Sequence, residues 1–211
     1  MAADRDISGE PYRRRVSAPV AVVPGSGRGA EYPVYGFTNA NAMLHVANCI
    51  ANAGRIENGN SYKFYAEGVT PAVAQLYEAI NAERVAVAAA LGASVPTLAD
   101  WFDRVYGVHE ATLVETCQRL TYNSDGPYQA TGTPQSLDHK FITEDVPTGL
   151  IPMSALGAAA GVRTPAIDAL VEIVRAMTGN DFAIEGRTLA RLQLNAMDGP
   201  RIRGIVEEGF S

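Results

Sequence analysis

One imidazole, set in a helix-forming stretch of small and apolar residues, is the most chemically loaded feature of the chain. Residues 40–54 read ANAMLHVANCIANAG, with no charged residue and no proline. At about 100° per residue, Asn41, His45, Asn48 and Asn52 fall within roughly 60° of one another. Met43, Leu44, Val46, Ala47, Cys49, Ile50 and Ala51 cover the remainder. A helix that is apolar nearly all round is a buried one, and buried polar groups need partners. Two readings follow. The histidine is either a core residue satisfied by nearby backbone, with the asparagines tying loops together, or part of the polar wall of a pocket.

Proton transfer by an imidazole needs a second group to orient it. Thr143-Glu144-Asp145 is an acidic cluster at a helix start, where a carboxylate is stabilised by the dipole and the free N–H groups. Asp145 therefore reads as an N-cap or as the partner of His45. An ionised carboxylate on one ring nitrogen fixes the tautomer and raises the basicity of the other nitrogen. Other chemistries lack their parts. His109 and His139 lie far from His45 without cysteine partners, so no metal site is expected, and there is no GxSxG elbow. PGSGRG (24–29) lacks the Lys-Ser/Thr of a phosphate loop and no helix follows it.

The chain has 211 residues, 47% hydrophobic and 19% charged, enough for one domain plus an arm. A net charge of −6, with Arg13–Arg15 the only basic run, argues against a nucleic-acid partner. Cys49 and Cys117 read as buried free thiols of a reducing compartment. No apolar signal segment follows Met1, and the apolar run 150–162 is short and carries Pro and Gly, so a cytoplasmic protein away from membranes is expected.

Punctuation then organises the chain. Residues 1–36, rich in Arg, Pro and Gly, form an irregular arm. The helix over 40–54 is followed by the Asn58-Gly59 turn and by Tyr62–Tyr65, a short strand or packed loop. Thr70-Pro71 opens a helix running to Leu91 and closed by Gly92; Leu98–Tyr106 is closed by Gly107; Ala111–Leu120 is next. Residues 121–138 form a long polar loop of the kind that serves as a lid, less ordered than the rest. Helices are predicted at 145–161, at 166–177 after Thr164-Pro165, at 188–194 and at 200–208. The fold class is all-α, a helical bundle over 37–211 with the 1–36 arm in front.

HVANCIANAGRIE (45–57), YAEGVTPAVAQLYEAINAERVAVAAALG (65–92), HKFITEDVPTGLIPMSALGAAAGVRTPAIDALVEI (139–173) and EGRTLARLQL (185–194) carry a resemblance. They resemble the C-terminal catalytic domain of the octopine/nopaline (opine) dehydrogenase family, over about residues 37–194. The resemblance implies an all-α domain like the C-terminal domains of opine and 6-phosphogluconate dehydrogenases. It implies reductive condensation of a 2-oxo acid with the amine of an amino acid, or the reverse, with NAD or NADP. By motif the family's catalytic His and its partnering Asp correspond to His45 and Asp145. On this reading Asn41 and Asn48 donate to substrate oxygens, and Arg55, with Arg163 and Arg187 as alternatives, pairs with a substrate carboxylate. The dinucleotide turn of such enzymes is missing, and 1–36 reads as a remnant of the end of a Rossmann domain. The expectation is a substrate-side half-enzyme whose cofactor is bound mainly by a Rossmann domain on another chain, with a homodimer left open. A non-catalytic helical binding or dimerisation module is the competing expectation.

Overall fold

Thr, Pro and Gly set most of the helix boundaries. The computed structural model describes residues 36–38, 40–123 and 125–208. The arm expected over 1–36 therefore lies outside the described residues, apart from Gly36. The central helix α1 spans Asn41–Ala51, and α2 is the short Ala53–Glu57. The unbroken helix expected over 40–54 is interrupted at Asn52, whose backbone leaves helical geometry at φ −115°, ψ 16°. The Asn52 amide bonds back to the Asn48 carbonyl and across to the Gly68 carbonyl, each at 3.0 Å. This is the competition between side chain and backbone that makes Asn a poor interior helix residue.

Helix α3 (Pro71–Ala90) starts at Thr70, whose hydroxyl accepts from Val73 N. Helices α4 (Leu98–Tyr106) and α5 (Leu113–Tyr122) are capped the same way by Thr97 and Thr112, and Gly107 ends α4 at φ 64°. After α6 (Lys140–Thr143), the helix expected from Asp145 onward begins as a wide π-helical turn, Val146–Leu150, and narrows into α7 (Ile151–Ala159). Helices α8 (Pro165–Thr178), α9 (Phe182–Glu185) and α10 (Gly199–Glu208) complete the order, and no strand occurs among the described residues. The bundle is all-α, as expected. The helix predicted over 188–194 is instead a series of turns. Gln193 and Ala196 adopt φ 60°, a left-handed conformation that a right-handed helix cannot contain.

Helix α1 is the hub, contacting α3, α6, the π turn and α8. Met43, Leu44, Val46 and Ala47 are fully buried along it, and the Tyr77 hydroxyl of α3 donates to the Leu44 carbonyl at 2.8 Å. Buried Arg84 donates to the Phe37 and Pro96 carbonyls and to Asn81 Oδ1, and burial lowers its guanidinium to about 10. Helix α8 is capped from outside. Both carboxylate oxygens of Glu83, on α3, accept from its first N–H groups, Ala166 N at 2.7 Å and Ile167 N at 2.9 Å. Thr164, the expected cap, turns its hydroxyl to Asp168 instead.

The loop after α5 is anchored, contrary to the expectation of a loose lid. Tyr128 stacks on Tyr65 with centroids 4.0 Å apart, Thr133 Oγ1 bonds both the N–H and the carbonyl of Tyr62, and Leu137 is buried. Aromatic and β-branched side chains at these positions supply partners that a polar-loop reading overlooks. Among the described residues no helix is long and apolar enough to cross a membrane.

Candidate active site

His45 and Asp145 meet although 100 residues separate them. Asp145 Oδ2 lies 2.7 Å from His45 Nδ1, and the two side chains are 12% and 16% exposed for His45 and Asp145 respectively. The Asp145 backbone is helical (φ −75°, ψ −31°) and its side chain makes no capping bond, so the N-cap reading is not realised. The π turn sets this approach. Gly149 sits directly on Ala42: a Cβ there would fall 2.3 Å from the Ala42 Cβ. A side chain at 149 would push the turn off α1 one helical turn before His45, and the carboxylate with it.

A carboxylate accepts, so the neutral ring carries its proton on Nδ1 and leaves Nε2 as the basic nitrogen. Nε2 has no partner among the described residues and is not among the buried orphan atoms. The ring face is covered by Phe141, stacked at 3.8 Å with 18° between planes, while Phe64 and Tyr65 stand at 6.4 and 6.3 Å. Cys49, one turn beyond His45, is a neutral thiol: burial, and then the Asp145 charge, push it up to about 12. A thiol held protonated is a poor nucleophile. Among the described residues no cluster of His, Cys, Asp and Glu gathers as a metal site.

The remaining expected site residues separate. Asn41 is exposed at the first turn of α1, on the His45 face. Asn48 is fully buried; its Nδ2 donates to the Phe64 carbonyl and its Oδ1 accepts from Asn52 Nδ2, both at 2.8 Å. Its amide is consumed inside the fold, so it does not open toward a cavity beside His45. Arg55, on α2, lies 3.9 Å over the Tyr62 ring and reaches the Glu67 carbonyl and carboxylate at 3.2 and 3.5 Å. The structure does not bring it to the dyad. Arg187 lines a separate apolar cavity of about 250 Å³, together with Thr148 and Gly149 of the π turn. Arg163 borders a shallower one with Ser154 and Asp168.

Residues 31–178 match the family described as NAD/NADP octopine/nopaline dehydrogenase, alpha-helical domain. The chain belongs to the octopine/nopaline dehydrogenase family. An opine dehydrogenase of Arthrobacter sp. (strain 1C) is 39% identical over 170 residues, covering 81% of this chain and 46% of that protein. Vitopine synthase of Allorhizobium ampelinum is 31% identical over 168 residues, covering 79% of this chain and 45% of its own length. The fold is similar to that of octopine dehydrogenase solved with NADH and L-arginine, at a TM-score of 0.56 and 20% identity, over 81% of this chain and 48% of that one. A structure with NADH and agmatine matches equally, with a TM-score of 0.56. The chain spans a little under half the length of the curated relatives it matches.

Within this octopine/nopaline dehydrogenase-type domain, the 185–194 segment lies beyond the matched residues, and the turn structure there belongs to the C-terminal part of the bundle. Sequence reasoning missed two residues. Phe141 precedes Asp145 by four positions, the spacing that puts two side chains on one helical face, and that was the available signal. Glu83 gave none, because a carboxylate in mid-helix reads as a solvated one.

Proposed function

We propose that the described helices form the substrate-side, proton-transferring half of an opine dehydrogenase-type oxidoreductase. The reaction is the NAD(P)H-dependent reductive condensation of a 2-oxo acid with the amine of an amino acid, or its reverse. The observation that carries this reading is the 2.7 Å contact between His45 Nδ1 and Asp145, which leaves Nε2 as the basic nitrogen of the ring. Family membership supplies the reaction class.

The described residues do not fit a dinucleotide by themselves. They contain no strand to launch a Gly-rich turn, and the first N–H groups of α3, α4, α5 and α8 are already taken by Thr70, Thr97, Thr112 and Glu83. On this reading NAD or NADP is held mainly by a Rossmann domain outside these helices. The purified chain is expected to take up neither NADH nor NADPH at micromolar concentration, which calorimetry checks. Stoichiometric tight binding would overturn this part.

The step assigned to this chain is a proton transfer. As the amine nitrogen adds to the carbonyl carbon of the 2-oxo acid, imidazolium Nε2–H donates to the oxygen that gains charge. The proton on the attacking nitrogen passes to that oxygen to make the hydroxyl. Delivery of the Nε2 proton to the hydroxyl lets it leave as water and gives the protonated imine; the neutral ring takes the proton back in reverse. Asp145 balances the positive ring and holds Nδ1. Asn41, one turn earlier, is the polar group assigned to a substrate oxygen; Asn48 and Arg55 are left out of that role. The test combines the chain with the dinucleotide-binding half of a relative and follows NADH oxidation with 2-oxo acids and amino acids. Turnover that disappears in His45→Ala supports the reading. Turnover unaffected by that change refutes the assignment, and no turnover in any pairing points to a non-catalytic binding or dimerisation module.

A further inference from the structure

We propose that Phe141 is a positioning residue for His45, an inference resting on the reading of His45 as the proton-transferring group. One short stretch of chain, 141–145, supplies both constraints on the ring. Asp145 grips its edge at Nδ1, and Phe141, four residues earlier, covers its face at 3.8 Å and 18°. Phe141 is itself fixed. Its ring meets Phe64 at 5.2 Å and the edge of His139 at 4.5 Å, and its N–H donates to His139 Nδ1 at 3.2 Å.

Two consequences follow from the stack. Water is kept off one face of the imidazole, where it would compete for the Nδ1–H bond to Asp145. The aromatic face also lies where it attracts the positive ring that the dehydration step uses. Turning the ring about Cβ–Cγ would set Cδ2 against the carboxylate, and Phe141 together with Asp145 opposes that rotation. The orientation of Nε2 toward the substrate side is therefore a property of three residues, His45, Asp145 and Phe141.

The test needs no cofactor. The chain contains three histidines, so nitrogen-15 labelling of histidine with His45→Gln as the assignment control isolates the His45 ring by NMR. The wild-type chain is expected to show a single Nδ1–H tautomer with that proton in slow exchange with water, and Phe141→Tyr is expected to keep both. Phe141→Leu and Phe141→Met should give mixed tautomers and fast exchange while circular dichroism stays helical. In the assembled enzyme the same two variants should lower kcat about 5- to 30-fold, with KM within about twofold. Retention of the slow proton and single tautomer in both variants overturns the proposal. So does unfolding of both, which would make Phe141 a packing residue, or a rise in KM with kcat unchanged. If the NMR signature changes but no pairing turns over, the positioning stands and the enzymatic reading fails.

Discussion

The two ends of the polar stripe along α1 and its cap Asn52 hold polar side chains on the same face in opposite settings. Toward the N-terminus, His45 keeps one nitrogen on Asp145 and the other without a hydrogen-bond partner among the described residues. Toward the C-terminus, Asn48 and Asn52 are sealed under the 62–70 segment, bonded to each other and to the Phe64 and Gly68 carbonyls. Angular position on the helix does not distinguish them. Depth along the axis does, because one end is covered by α6 and the π turn and the other by a tight aromatic turn. On the proposed function, the polar stripe of this buried helix thus holds one reactive end and one structural end.

If this division is right, substitutions at the two ends should separate activity from stability. In the assembled enzyme, His45→Ala and Asp145→Ala should each lower kcat by about 10²–10⁴. The double variant should lose little more, since groups acting as one unit are not additive. Clearly additive losses in steady-state kinetics would dissolve the pair. Turnover per folded molecule, rather than the urea midpoint, is the quantity expected to collapse in these variants.

At the other end the order is reversed. In Gly68→Ala a Cβ would fall 2.2 Å from the Phe64 carbonyl oxygen and 2.5 Å from Asn48 Oδ1, with no flexible tip to yield. A loss of about 2–4 kcal/mol is expected. Asn48→Ala strands the Phe64 carbonyl, while the Asn52 amide keeps its bonds to the Asn48 and Gly68 carbonyls, and should cost about 1–3 kcal/mol. Urea titration measures both. Turnover per folded molecule should stay within about twofold in Asn48→Ala; a collapse of kcat there would return Asn48 to the substrate.

The smallest effect concerns the thiols. Cys49 and Cys117 are raised from 9.0 to about 12, both by burial, with the Asp145 charge adding only at Cys49. A folded value above the unfolded one gives stability that is fully present below about pH 9 and is lost as pH rises toward 12. The loss should reach about 1 kcal/mol per thiol at pH 10, read from the urea midpoint against pH. Asp145→Asn should lower that alkaline loss slightly for Cys49 and leave Cys117 unchanged, which alkylation rates in single-cysteine variants would show.

Much of the bundle was legible because its boundaries are chemical. Thr70-Pro71 and Gly107 act locally and appear where expected. The turns at 188–196 were not legible, since nothing about Gln193 or Ala196 announces a left-handed backbone. The site divides similarly. His45 stands out as the one imidazole in an apolar helix, but the acidic helix start left Asp145 as either cap or partner, and only the family resemblance of the 139–173 segment favoured the partner. The burial of Asn48 depends on how closely Gly68 lets a distant turn approach, and no spacing within α1 encodes that distance.

The Glu83 clip has a consequence for the time course of folding. The first donors of α8 find their acceptor on α3, 83 and 84 residues earlier in the chain. Helix α8 therefore begins with unmet N–H groups until α3 is formed and in place, and closing so long a loop precedes any gain from the contact. The start of α8 should consolidate late in refolding, after the helices whose caps are local threonines, and Glu83→Gln should speed unfolding more than it slows folding.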